Sequence, residues 1–196
     1  MPALPGRRPP QDHLNAGRSA WGIPYNLPVR YVRQAGSDPS FLLKALGEAS
    51  GEFRREFHGL RYRDLLVPAR PPDEGWTMLG LAVHVREVEA GVVDQVRTMV
   101  HRHNAEIRNV DLDDIPLQSD YDGEDAEEVL EDYHDLRQRL TYTLWDIDSG
   151  DWHRQGIHPY RGPVKLLDLA RELYQHDLEH LWQARRMVLA DRKSVV

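Results

Sequence analysis

Four stretches of this 196-residue chain repeat their apolar residues at intervals of three and four, the signature of helices with one buried face. The first predicted helix begins at Asp38-Pro39, an N-cap residue followed by a proline that suits a first helical position. Leu42, Leu46, Ala49, Phe53 and Phe57 form its stripe. The second starts at Trp76-Thr77 and runs to about His103, with Leu81, Val88, Val92 and Met99 inward. The third opens at Asp122, where Glu124, Asp125, Glu127 and Glu128 suit a helix start. Its stripe is Val129, Tyr133, Leu136, Leu140, Leu144 and Ile147. The fourth follows Gly162-Pro163 and carries Leu166, Leu169, Leu173, Ala184 and Met187. No segment shows the strict alternation of a strand. The expected class is therefore all-α, a four-helix bundle over residues 37–196. Its connections, near residues 58–75, 104–121 and 148–163, exceed the roughly 2–8 residues of an up-down bundle. Long connections point to crossovers, or to loops that cover a site.

Residues 1–36 differ from the rest. Pro2, Pro5, Pro9, Pro10, Pro24 and Pro28 break any helix, so this is an irregular N-terminal arm. Trp21, Ile23, Tyr25, Leu27 and Tyr31 make it too apolar for a free tail. It is expected to pack on the body or on a second subunit, and a homodimer is expected. A net charge of −7 argues against nucleic acid as a partner, because phosphate binding wants a basic face. The pairs Arg54-Arg55 and Arg185-Arg186 sit among acids and read as solvated surface. No apolar run approaches the roughly 20 residues of a membrane span. No continuous apolar core of a signal peptide stands at the N terminus, so a cytoplasmic location is expected. The chain has no cysteine, which removes disulfides, thiolate ligands and a Cys nucleophile together.

Against that background three histidines stand out. His176 and His180 are four apart, in line with Leu169 and Leu173, so both rings project from the inward face about 6 Å apart along the axis. His84 follows Leu81 by three and precedes Val88 by four. A bare imidazole on a core face needs a partner. Three of them from two helices can share one divalent ion and leave a position open for water or substrate, which suits Zn, Ni or Fe(II). The alternative is three separate core histidines, each bonded to a neighbour. Glu87, Glu172, Asp177 and Glu179 lie near enough in sequence to steer the ligands, against the plainer reading of solvated helix charges.

Other motifs fare worse. His176-Asp177-Leu178-Glu179-His180 fits the inverted zinc-peptidase pattern, but that chemistry needs a further ligand well downstream. A di-iron bundle wants two Glu-x-x-His pairs, and Glu131-x-x-His134 alone fits, with His134 off its stripe. His101 and His103 end the second helix, while His153 and His158 precede the fourth and could close over the site. Trp152 and Tyr160 are candidates for a pocket wall. Trp76 and Trp145 are expected in the bundle core.

Gly75-Trp76-Thr77, the mid-helix His84 and His176-Asp177-Leu178-Glu179-His180-Leu181-Trp182-Gln183 together resemble the DinB/YfiT-like superfamily of metal-dependent enzymes, over roughly residues 38–190. The resemblance implies a four-helix bundle in which His84, His176 and His180 coordinate a divalent metal, commonly nickel or zinc. It also implies a low-molecular-weight thiol cosubstrate (bacillithiol, mycothiol or glutathione) in S-transfer on a small molecule. Asp177 and Glu179 are carried along as carboxylates that steer the ligands. Hydrolysis of a small ester or amide by metal hydroxide, and a non-enzymatic stress-responsive metal-binding bundle, stand as the alternatives. The long arm departs from the family pattern.

Overall fold

Helix ends in this chain are set by side chains that accept the free N–H groups of a first turn. A computed structural model describes residues 38–117, 121 and 123–194. The expectations for the arm fall outside the described residues. Helix α1 (Pro39–Glu56) begins where Asp38 accepts from Ser40 N, with the proline in its first turn. A single-turn helix, α2 (Tyr62–Leu65), follows. Helix α3 (Met78–His101) starts where Thr77 accepts from Gly80 N at 3.0 Å. Helix α4 (Ala126–Trp145) starts four residues later than expected. Asp125 is its cap and accepts from Glu127 N and Glu128 N, so Glu124 lies outside the helix. Helix α5 (Leu166–Ser194) is the longest.

Strands were not expected, yet three are present among the described residues. β1 (Ala105–Glu106) pairs parallel to β2 (Gln155–His158), which pairs antiparallel to β3 (Gly162–Lys165). Two to four residues are too few for a period of two to register in sequence. The sheet closes against α3: a Cβ on Gly156 would stand 2.9 Å from Met99 Cγ and 2.8 Å from Ile107 Cγ2.

The four long helices pack in the order α1, α4, α3, α5 around the bundle. Consecutive helices α1 and α3 therefore sit at opposite corners, as do α4 and α5. Two apolar clusters give the directions. One gathers Leu42, Leu46, Val96, Met99, Leu140, Leu144, Leu166 and Leu173. The other gathers Phe53, Met78, Leu81, Val129, Tyr133, Leu181 and Met187. Hence α3 and α4 run parallel to each other, and α1 and α5 run parallel to each other and opposite to that pair. Arg185 on α5 bonds Glu52 and Glu56 on α1, and Arg186 bonds the buried Asp73, so the second Arg-Arg pair ties elements together. A parallel α3–α4 pair needs a return the length of a helix. The described residues of this return, 102–117, 121 and 123–125, form a strap along α3. Gln95 Nε2 donates to Arg108 O at 2.8 Å, Val110 packs on Gly91, and the Tyr121 hydroxyl lies 3.1 Å from Thr77 Oγ1. No helix among the described residues is long and apolar enough to cross a membrane.

Between the two apolar clusters lies a polar layer. Arg137 is 1% exposed, Glu89 0% and Asp177 4%. All five guanidinium N–H groups of Arg137 are used. Nε and Nη2 donate to Glu89 at 2.8 and 2.7 Å, Nη1 and Nη2 to Asp177 at 2.7 and 2.9 Å, and Nη1 also to Leu46 O at 2.7 Å. Helices α1, α3, α4 and α5 thus meet on one side chain. Burial pushes the Glu89 carboxyl up from its ordinary range, and the Arg137 charge opposes that push.

Candidate metal centre

His84 lies in the first half of α3 and His176 and His180 in the middle of α5, and the antiparallel packing of these helices brings the three rings to one level. His84 Nε2 stands 3.0 Å from His176 Nε2. One nitrogen from each of the three rings lies within 4.8 Å of the other two. Ring centroids are 5.1 Å apart for His84–His176, 4.8 Å for His84–His180 and 4.3 Å for His176–His180. The i,i+4 spacing stacks the α5 pair on one face. Ordinary helical φ/ψ therefore suffices to build the cluster.

The electrostatics keep the rings neutral. Burial, reinforced by the neighbouring His180, lowers His84 to about 4. Burial is also the main cause for His176, with His180, His84 and Arg137 adding to it, and its basicity falls further still. His180 is lowered by burial, opposed by its bond to Gln183. His180 Nδ1–H donates to Gln183 Oε1 at 2.7 Å, which leaves the Nε2 lone pair free. His176 Nδ1 is buried without a hydrogen-bond partner among the described residues. The carbonyls of Leu112 and Asp114 approach the His84 ring, Leu112 also approaches His176, and Asp111 and Asp113 act on His84 and His180 through space. The strap therefore lies over the cluster.

These residues fit a divalent cation. Two imidazole nitrogens 3.0 Å apart have the separation of adjacent ligands about 2.0–2.1 Å from one ion. A lone N–H···N bond explains two rings but not a third nitrogen converging on the same place. Low basicity keeps the lone pairs available for a metal at neutral pH. The rim supplies a wall. Trp76, one residue before the α3 cap, sets its ring against His84 (5.2 Å, 76°) and His180 (5.6 Å, 55°).

The other singled-out residues are placed as follows. Asp177 faces Arg137 and Tyr133, with Tyr133 Oη donating to Asp177 Oδ1 at 3.4 Å, and not the three rings. Glu179 is exposed and reaches His180 only through space. Glu87 bonds Arg86, and Glu172 bonds Arg161 at the surface. Trp145, expected in the core, is 78% exposed, because it is the last residue of α4 and the stripe turns away from it. Half-buried Trp76 belongs to the rim of the cluster rather than to the core. Trp152 is buried in the apolar cluster and Tyr160 is exposed, so neither lines the histidine site. His158 is buried, and its Nδ1 accepts from the backbone N–H groups of Tyr160 and Arg161, capping the β2–β3 turn; His153 is exposed. The residues that composition and spacing missed are Glu89, Arg137, Gln183 and the strap at Asp111–Asp114. For Gln183 a signal existed in its position three after His180.

YfiT from Bacillus subtilis, described as a probable metal-dependent hydrolase with an unusual four-helix bundle topology, is similar in structure, with a TM-score of 0.62 at 17% identity. The match covers 76% of this chain and 86% of that one. TT2238, described as a four-helix bundle protein, matches with a TM-score of 0.55 at 20% identity, over 76% of this chain and 99% of that one. At these identities the likeness shows the fold alone. No curated protein matches. The sequence profile of the DinB superfamily matches residues 52–184, from the last turns of α1 to beyond both α5 histidines, and the chain belongs to that superfamily.

Proposed function

We propose that this bundle is a metal-dependent enzyme in which His84, His176 and His180 hold one divalent ion, nickel, zinc or iron. The reaction proposed is S-transfer from a low-molecular-weight thiol (bacillithiol, mycothiol or glutathione) to a small electrophile. The convergence of three buried, neutral imidazole nitrogens within 4.8 Å is the observation that carries it. A bound divalent ion supplies Lewis acidity and favours the thiolate of a coordinated thiol. The chain provides the rest. Burial and mutual repulsion hold the three rings deprotonated. Gln183 fixes the tautomer of His180. Trp76 keeps water from one side, and the strap carbonyls of Leu112 and Asp114 close another. Because the chain has no cysteine, the thiol must come from outside.

Purified protein without a His tag is expected to carry close to one divalent ion per chain. It is expected to conjugate one of the three thiols to a model electrophile, with His84→Ala losing both properties. Absence of metal-dependent conjugation with all three thiols overturns the S-transfer reading. A second reading, hydrolysis of an ester or amide, is favoured by the strap carboxylates Asp111 and Asp113, whose charges act on His84 and His180 through space and which are candidate bases. Turnover of such substrates without added thiol selects it.

A further inference from the structure

We infer that Arg137 is the positioning residue of the histidine centre: through Glu89 on α3 and Asp177 on α5 it fixes the two ligand-bearing helices so that His84 meets His176 and His180. The inference rests on the proposed metal reading and extends it to residues that touch neither metal nor substrate. Three observations carry it. First, Glu89 stands five residues from His84 on the same helix, and Asp177 is the neighbour of His176. A shift of either helix that moved a ligand would therefore break a bond to the guanidinium. Second, the contacts are bidentate on both sides, at 2.7–2.9 Å. A planar fork of that kind specifies rotation as well as distance. Third, α4 and α5 sit at opposite corners, so the Arg137–Asp177 contact crosses the core diagonally. Apolar packing alone gives such a pair no fixed register. The Leu46 carbonyl takes the remaining donor and holds the group against α1.

Stability is a poor explanation for the arrangement. Two carboxylates and one guanidinium, all withdrawn from water, lose hydration that their attraction does not fully return, and well-packed hydrophobic side chains often do as well or better. Holding a metal-binding geometry is a role to which a directional, bidentate charge pair adds specificity that apolar contact lacks.

The test separates fold from geometry. Arg137→Met alone leaves two buried carboxylates without a partner and is expected to unfold the bundle, so the informative variant is Glu89→Gln/Arg137→Met/Asp177→Asn. It removes every formal charge of the layer while keeping its volume. Its helical circular dichroism is expected to match that of the parent, with a lower thermal midpoint because the two amides and the Leu46 carbonyl lose their partner. Its affinity for Co2+, measured by competition with a chromophoric chelator, is expected to fall about 10–100-fold. The visible d–d spectrum of the bound cobalt is expected to change shape. A folded triple variant with parental affinity and spectrum overturns the inference. If the triple variant does not fold, Arg137→Lys decides, since it keeps the charge and loses the fork. It is expected to bind Co2+ more weakly, and parental binding by it overturns the inference. Parent protein that takes up no Co2+ overturns the metal reading and this inference together. Loss of binding in His84→Ala beside unchanged binding in the triple variant overturns this inference alone.

Discussion

At the scale of single residues the chemistry rests on three side chains that stay neutral where free imidazole would be half-charged. His84 is lowered to about 4 by burial, with His180 adding to the shift. In the unfolded chain the same ring titrates near 6.5. Between those values the unfolded state binds more protons than the folded one, so the metal-free protein loses stability as pH falls from about 6.5 to 4. Urea denaturation of metal-free protein at pH 7 and at pH 4.5 measures it. A shared midpoint would contradict neutral buried rings. Protons also compete less well for depressed imidazoles, so bound metal is expected to persist at pH 6 and to leave below about pH 5. Metal content by mass spectrometry across that range checks this outcome. Replacing Gln183 by Leu removes the acceptor for His180 Nδ1–H and is expected to weaken metal binding about 10-fold with the fold intact, read by chelator competition. The histidines were legible in sequence because each lies in phase with leucines or valines of its own helix. Arg137 was not. Its neighbour Leu136 takes the stripe in the sequence pattern yet is only half-buried, and an arginine in a charged helix ordinarily reads as surface.

At the scale of elements, the segment whose carbonyls approach the site is the strap, described at residues 102–117, 121 and 123–125. It is docked by small-residue contact as much as by hydrogen bonds. A Cβ on Gly91 would stand 2.6 Å from Val110 Cγ2, so Val110 approaches the helix this closely only because position 91 has no side chain. Gly91→Val is expected to lift the strap, costing about 1–3 kcal/mol of stability by overpacking. It is also expected to raise the rate at which diethylpyrocarbonate modifies His84 and His180, followed by mass spectrometry. Unchanged modification would mean that the strap does not cover the rings. Helix starts at Asp38 and Thr77 were legible because capping chemistry is local. The acidic run before α4 offered several caps in succession, and Asp125 alone takes the role. The sheet was illegible, since strands of two to four residues leave no period to detect. The length of the 104–121 connection was visible in sequence, but not its path.

At the scale of the whole molecule, the apolar stripes said that four helices pack together and were silent on order and direction. The order α1, α4, α3, α5 arises from long-range contacts between stripes that look alike in sequence. Family resemblance supplied the bundle; the parallel pairing needed the structure. A metal shared by α3 and α5 would bind only the folded chain, and folding and binding are then linked. Addition of the metal at about 1,000 times its Kd is expected to stabilise the protein by about 4 kcal/mol. A chelator is expected to return the thermal midpoint to the metal-free value, and differential scanning fluorimetry reads both.

The parallel run of α3 and α4 has a further electrostatic consequence. Their two N-terminal ends stand side by side, so two macrodipoles present like partial charges, each of roughly half a proton, at the same end of the molecule. The C-terminal ends of the antiparallel α1 and α5 stand at that end too and offset part of this charge. Side chains add to that locally: Asp125 accepts two backbone N–H groups, Glu127 and Glu128 occupy the first turn of α4, and Glu124 reaches Arg86 on α3. The crowding of acids before α4 thus adds a local counter-field where two helices point the same way.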